Sequence, residues 1–201
     1  MFQYQTIASA QQIEYKEKAS KFIAYAYPVL DEAAIKKVLE TLWEQHPKAT
    51  HICYAYRLGM DKTNYRANDD GEPGGSAGKP ILGQIDSKEL TFVLVAVVRY
   101  FGGTKLGIPG LIESYKESAK EVLGLCAIVT EKLKIKYSLG FSMEFYNEMM
   151  HHLKKNKVQV IQQKFSENCL LVIEVEKERE SLLIESLEAL YQVNLLIEKT
   201  S

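Results

Sequence analysis

Cysteine is scarce and scattered. Cys53, Cys126 and Cys169 lie far apart in apolar runs, with no C-x-x-C spacing. That pattern reads as reduced, buried core thiols and points to a cytoplasmic protein. An excess of one charge is missing too. The formal net charge is −1 and the sequence pI about 6.5. Proteins that coat duplex nucleic acid usually carry a basic face, so bulk attraction of that kind is disfavoured, and only a local basic patch stays open. No apolar run approaches the length needed to span a bilayer. Residues 1–10 lack the basic region and apolar core of a signal peptide. No membrane partner is expected. Repeats and low-complexity tracts are absent. With 46% apolar and 25% charged residues the rest is ordinary globular material. Its 201 residues suffice for one or two domains. Tyrosine stands out at twelve, a weak lean towards binding surfaces because its ring stacks and its hydroxyl stays polar.

The chain is organised around residues 91–115, T-F-V-L-V-A-V-V-R-Y-F-G-G-T-K-L-G-I-P-G-L-I-E-S-Y. Phe92 to Val98 is unbroken and mostly β-branched, which predicts a strand buried on both faces. Arg99 and Tyr100 bring a charge and a phenol to its end. Gly102 and Gly103 permit positive φ or close backbone approach. From Gly107 an amphipathic helix follows, with Leu111, Tyr115, Ala119 and Val122 on one face. A strand, a glycine turn and a helix start make a common scaffold for a binding site, because the free N–H groups of the helix face the turn.

Taken in order, Tyr4–Ile7, Ile13–Lys16 and Phe22–Val29 read as strands. Asp31 caps a helix that carries Ile35, Val38, Leu39, Leu42 and Trp43 on one face and ends at His46–Pro47. His51–Leu58 reads as a strand. Residues 59–80 show no periodicity and read as a long loop, a feature often functional in a compact domain. Ile81–Ile85 reads as a helical turn or extended chain, and Cys126–Thr130 as the last strand of a first domain, residues 1–130. Beyond it the pattern is clean. Strands at Lys132–Leu139, Val158–Phe165, Leu170–Glu176 and Val193–Ile197 alternate with helices at Ser142–Asn156 and Glu178–Tyr191. Residues 166–168 form the turn between the middle strands. That β-α-β-β-α-β order predicts a ferredoxin-like second domain, residues 131–201.

Several familiar motifs fail on inspection. Gly78-Lys79 ends like a phosphate-binding P-loop, but Pro73 and Pro80 replace its first glycine and its hydroxyl residue. Gly103, Gly107 and Gly110 suggest a dinucleotide fingerprint, but Lys105 occupies a required glycine position. Gly74-Gly75-Ser76-Ala77-Gly78 matches G-x-S-x-G, yet acidic turn residues precede it where a strand is needed, and Pro80 follows where a helix should start. His151 and His152 are adjacent, hence about 100° apart on a helix, and share a metal poorly. Asp69, Asp70 and Glu72 place three carboxylates within four residues. They either hold Mg²⁺, shape a tight turn, or pair with Arg99. Arg99, Lys105 and Lys79, with Tyr100, Phe101, Tyr65 and Tyr115, either form a cationic, aromatic surface for phosphate or single-stranded nucleic acid, or close the core with Arg99 bound to Asp70. The strip Lys132, Lys134, Lys136 is a contact surface or a solvated strand face.

D-D-G-E-P-G-G-S-A-G-K-P at 69–80, followed by R-Y-F-G-G-T-K-L-G-I-P-G-L at 99–111, resembles the signature pair of the YigZ/IMPACT family, and the resemblance covers essentially the whole chain. It implies an α+β protein: an N-terminal α/β domain of the ribosomal-protein kind, akin to the fourth domain of elongation factor G, and a C-terminal ferredoxin-like domain similar to the last domain of that factor. It implies a role in translation. Eukaryotic relatives bind the activator of a kinase that phosphorylates an initiation factor, and for bacterial members the implied partner is nucleic acid or the ribosome. Proline dipeptidase activity, a label some members carry, finds no H-E-x-x-H or metal-ligand cluster here. The chain departs from the family in one turn, where Ile108 and Pro109 stand after the glycines and Glu113 takes a basic position. An acid there works against anion binding.

The expected binding surface is therefore Asp69, Asp70, Gly71, Glu72, Pro73, Gly74, Gly75, Gly78 and Lys79, set beside Arg99, Tyr100, Phe101, Gly102, Gly103, Lys105, Gly107 and Tyr115. No catalytic residue, cofactor or metal is expected. The expected partner is RNA or the ribosome, with a protein partner as the alternative and an Mg²⁺-dependent enzyme acting on a phosphorylated small molecule as the third reading.

Overall fold

The structure is a computed structural model that describes residues 2–166, 168–190 and 196–200. It is an α+β chain in two compact units. Tyr4–Glu131 forms one; the other runs from Lys132 and takes in Gln3.

In the larger unit, β1 (Gln3–Ile7) is followed by β2 (Gln11–Glu17), β3 (Ser20–Pro28), α1 (Glu32–Gln45), β4 (His51–Leu58) and β5 (Asn64–Asn68). Then come α2 (Gly78–Ser87), β6 (Val93–Tyr100), α3 (Gly107–Leu125) and β7 (Ile128–Lys132). Five strands form one antiparallel sheet in the order β2-β3-β6-β4-β5, and β1 pairs with β7. β6 is central, and Val93 to Val98 are all buried. A run without polar alternation can sit only where both sheet faces are covered, and they are. Val93, Val95 and Val97 pack with Phe22, Cys53, Ile81, Leu111 and Tyr115, under α2 and α3. Leu94, Ala96 and Val98 point the other way, towards Ile35 and Leu42 of α1.

Asp31 caps α1, accepting from Ala34 N at 2.7 Å, a bond worth about 0.5–2 kcal/mol. Trp43, expected on the apolar face, is 44% exposed. It lies about 100° round the helix from Leu42, outside the buried stripe. The expected loop 59–80 is shorter than its composition suggests. β5 lies within it, paired to β4, and α2 begins at Gly78 with Pro80 inside its first turn. Proline is tolerated there because the first N–H groups of a helix have no partner to lose. The strand expected at Cys126–Thr130 forms two residues later, as β7.

The smaller unit holds β8 (Lys134–Ser142), α4 (Tyr146–Lys155), β9 (Gln159–Phe165), β10 (Asn168–Glu176), α5 (Glu180–Glu188) and β11 (Leu196–Thr200). Short 3-10 turns, Met143–Phe145 and Lys177–Arg179, lead into the two helices. The antiparallel order β11-β8-β10-β9 puts the first strand of this unit beside its third and fourth. This is the β-α-β-β-α-β arrangement its periodicity predicts. Alternate residues Ile135, Tyr137, Leu139 and Phe141 are buried with Met149, Leu153, Leu183 and Leu187. Of the expected elements here, residues 193–195 of the last strand, Tyr191 and Glu167 lie outside the described residues.

Candidate functional site

Strands β3, β4 and β6 bring Phe22, His51 and Arg99 level with one another at one end of the sheet. The antiparallel register pairs His51 with Arg99 and Phe22 with Arg99. Alternation sends Arg99 to the α2/α3 face, where it meets the acidic loop. Arg99 Nη1 donates to Glu72 Oε1 at 2.6 Å, and Tyr115 Oη donates to the same oxygen at 2.8 Å. Arg99 is 6% exposed, Glu72 8% and Tyr115 0%. The guanidinium also lies 5.6 Å from the ring centroid of Phe22 and 5.7 Å from that of Phe101. Its Nε is buried without a partner. Cys53 Sγ extends the cluster, 3.3 Å from Tyr115 Oη and 3.1 Å from the Asp69 carbonyl oxygen. Burial pushes the Cys53 thiol and the Tyr115 phenol far up, so both stay protonated.

Each of the three carboxylates has its own partner. Asp69 accepts from Gly75 N at 2.8 Å through one oxygen, and from Ala77 N at 3.0 Å and Gly78 N at 2.8 Å through the other. It thereby caps the start of α2 from nine residues upstream, the role an N-cap residue plays locally. Burial works against the charge of Asp69, but those N–H bonds and the Lys79 charge outweigh it and hold the carboxyl below its ordinary value. Asp70 Oδ2 accepts from Ile52 N at 2.6 Å. Since Tyr54 pairs with Asn68 at the end of β5, this side chain serves as the next rung after the strand has stopped. The Asp70 carbonyl accepts from His51 Nδ1 at 2.6 Å. A carbonyl can only accept, so this bond places a proton on Nδ1.

These facts correct several expectations. Arg99 pairs with Glu72, not Asp70, and is too deep to meet a phosphate. Tyr115 offers no stacking face. Asp69, Asp70 and Glu72 diverge, and among the described residues no group of three or more His, Cys, Asp or Glu stands as a metal site. Tyr65 pairs with Arg57 in the strand register, at the opposite end of β4 from His51, and stacks on that guanidinium at 4.9 Å. A helix does follow Ser76, contrary to the objection raised by Pro80, but Ser76 is fully buried and its Oγ donates to the Pro73 carbonyl at 2.6 Å. It is a turn residue with its hydroxyl in use.

The two signature segments are nonetheless neighbours, joined by Glu72–Arg99. What they leave on the surface comes mostly from the second. Phe101 is 48% exposed. Gly103, Thr104, Lys105 and Gly107 are exposed beside it, as are Pro73, Gly74 and Lys79 of the first. Phe101 N donates to Thr50 Oγ1 at 3.1 Å, and Gly102 N to Ser20 Oγ at 3.2 Å. Gly102 sits so close to the β2–β3 turn that a Cβ there would lie 2.1 Å from the Ala19 carbonyl carbon. The same turn presents Lys18, which is exposed. Tyr100 faces the other way. His46 bridges its hydroxyl, at 2.9 Å, to that of Tyr25, at 2.8 Å. His51, Cys53, Phe22 and Thr50 all take part here without a local sequence signal. Only the register of β4 and β3 against β6 brings them in.

Residues 18–123 match the family profile described as Impact N-terminal domain. The chain is similar to "IMPACT family member YvyE" of Bacillus subtilis (strain 168), 33% identical over 165 residues that make up 82% of this chain and 76% of that protein. It is also similar to "IMPACT family member YigZ" of Escherichia coli (strain K12), 36% identical over 108 residues, 53% of each chain. A solved structure titled "Crystal structure of an hypothetical protein" covers 100% of this chain and 98% of its own, with a TM-score of 0.76 at 24% identity. That likeness is one of fold.

Proposed function

This chain belongs to the IMPACT family, and we propose that it acts in translation as a binding protein whose contact surface is the Phe101–Gly107 turn, with single-stranded RNA or the ribosome as partner. The observation that carries this reading is Phe101. Its ring is half exposed, the Arg99 guanidinium lies 5.7 Å from its centroid, and its backbone is held by Thr50. Lys18, in the turn that Gly102 abuts, and Lys105, three residues past Gly102, are both exposed. An aromatic face beside cations suits single-stranded nucleic acid, since every base has a face to stack and every linkage a charge. The acidic loop holds this platform in place through Glu72 and does not itself touch the partner.

Fluorescence anisotropy with a labelled single-stranded RNA over a salt series tests this. Phe101→Ala should weaken binding by about 1–3 kcal/mol. Lys105→Ala should flatten the salt dependence by roughly 0.7 in the log–log slope. Absence of binding by the wild type at low salt removes the RNA reading.

One observation favours a protein partner instead. α1 and the β4–β5 hairpin enclose a cleft of about 540 Å³ lined by Leu39, Trp43, Tyr54, Tyr56 and Arg66. Aromatic and arginine side chains are what protein interfaces concentrate. Under this reading Trp43→Ala abolishes a nuclease-resistant co-purifying protein, and Phe101→Ala leaves it in place.

A further inference from the structure

In the smaller unit the end of α4, the start of β9, the end of β10 and the start of α5 enclose a cavity of about 200 Å³. Its charged lining is all of one sign: Lys155, Lys157 and Arg179. Apart from Asn156, the rest of its lining is apolar: Val158, Val175, Leu182 and Leu183. No carboxylate lines it. None of the three cations makes an ion pair among the described residues. Glu176, near enough to feel the charge of Arg179, already binds Lys132 Nζ at 2.8 Å. Glu180 is engaged by Lys177, with Lys199 at 3.6 Å.

This clustering is not a by-product of a basic protein, because the whole chain has a formal net charge of −1. Three like charges round one concavity repel each other, and in most proteins a nearby acid relieves that repulsion. The walls are held in place. His152 Nε2 and Ser186 Oγ, 3.0 Å apart, tie α4 to α5, and Asn156 Nδ2 donates to the His152 carbonyl at 2.9 Å. Leu182 is 70% exposed at the rim, an apolar surface beside the cations with no cover of its own.

We infer that this cavity binds the phosphate of a nucleotide, with the cations on the phosphate and the sugar or base against Val158 and Leu182. Phosphate answers the charge, since Lys and Arg donate to its oxygens. The volume takes one phosphate and part of what it is esterified to. The apolar rim distinguishes such an ester from the bare ion. The site lies in a different unit from Phe101 and stands whether or not that surface binds RNA. A free nucleotide and one residue of an RNA strand share this chemistry.

The test is two-dimensional NMR of the full chain at low salt, titrated separately with adenosine 5′-monophosphate, adenosine, inorganic phosphate and a short single-stranded RNA. Adenosine monophosphate or the RNA should shift the amides of Val158, Leu182 and Leu183 saturably, and adenosine should not. Tighter binding of the RNA at these amides identifies the source as a strand; tighter binding of the monophosphate identifies a free nucleotide. The triple variant Lys155→Ala/Lys157→Ala/Arg179→Ala should lose at least about tenfold in affinity. Without ligand it should melt at the same temperature or higher, because it removes repulsion and no partner. Phe101→Ala should leave these shifts intact, which separates this site from the platform in the larger unit. The inference is overturned if neither phosphate ester moves these amides, if adenosine alone moves them equally, if inorganic phosphate binds as tightly as the ester, or if the triple variant binds as well as the wild type.

Discussion

The two signature segments carry similar glycine-rich sequences and play opposite parts. In the stretch from Asp69 to Gly78 every carboxylate is turned inward. Asp69 holds the start of α2, Asp70 continues a ladder to Ile52, and Glu72 binds Arg99 and Tyr115. In the stretch from Phe101 to Gly107 the side chains of Phe101, Thr104 and Lys105 are exposed, Leu106 packs against the core, and the backbone is tied to Thr50 and Ser20. The difference shows that a dense polar motif is not by itself a site. The acidic loop spends its charge on the fold, while the turn beside it keeps Phe101 and Lys105 exposed.

That contrast can be broken first at Glu72. Glu72→Ala leaves Arg99 buried with no counter-charge, and a cost of about 3–5 kcal/mol in denaturant unfolding is expected. The double variant Glu72→Ala/Arg99→Met should recover much of that loss, since the stranded charge goes with the arginine. If the single variant unfolds like the wild type, the Glu72–Arg99 pair does not hold this end of the sheet.

A smaller effect, about 1–3 kcal/mol, is expected for Asp69→Asn, whose amide nitrogen would face a backbone N–H that the carboxylate now accepts from. Its pH dependence has a definite sign. The folded carboxyl of Asp69 is held below its ordinary value, so it contributes stability above the unfolded value of about 3.9 and loses it as pH falls through the folded value. The gap between wild type and Asp69→Asn should therefore be full at pH 7 and close in the acid range below about pH 4. A gap of constant size down to pH 2 contradicts the capping role.

The smallest effect sharpens the other half of the comparison. Phe101→Ala should change stability by no more than about 0.5 kcal/mol, as surface substitutions usually do, while it weakens RNA. A loss comparable with that of Glu72→Ala would make Phe101 a core residue and erase the distinction between the two segments.

Much of this was legible along the chain. The unbroken apolar run of β6, the glycine turn and the stripe Leu111, Tyr115, Ala119, Val122 of α3 are where their patterns put them. The alternation of β8 and the order of elements after it gave the second unit. β5 was hidden, because Asn64–Asn68 is short, with only Tyr65 and Ala67 on its less polar face, and an edge strand needs no strong apolar alternation to pair. The site was legible as two segments and misjudged in its chemistry. Tyr115 sits on the buried stripe of its own helix, which already argued against an exposed ring.

What the sequence determined by itself was local: where backbones extend or coil, which faces are apolar, and where glycine lets the chain turn. Those depend on side-chain period and on φ, and neighbours along the chain are enough to set them. Which carboxylate met Arg99, and which aromatic stayed in water, depended on register between strands far apart in sequence. Arg99 stands opposite His51 and reaches Glu72 only because β4 and β6 pair at that offset. A one-residue slip would turn Arg99 to the other face, so the roles of the charged residues belong to the tertiary structure.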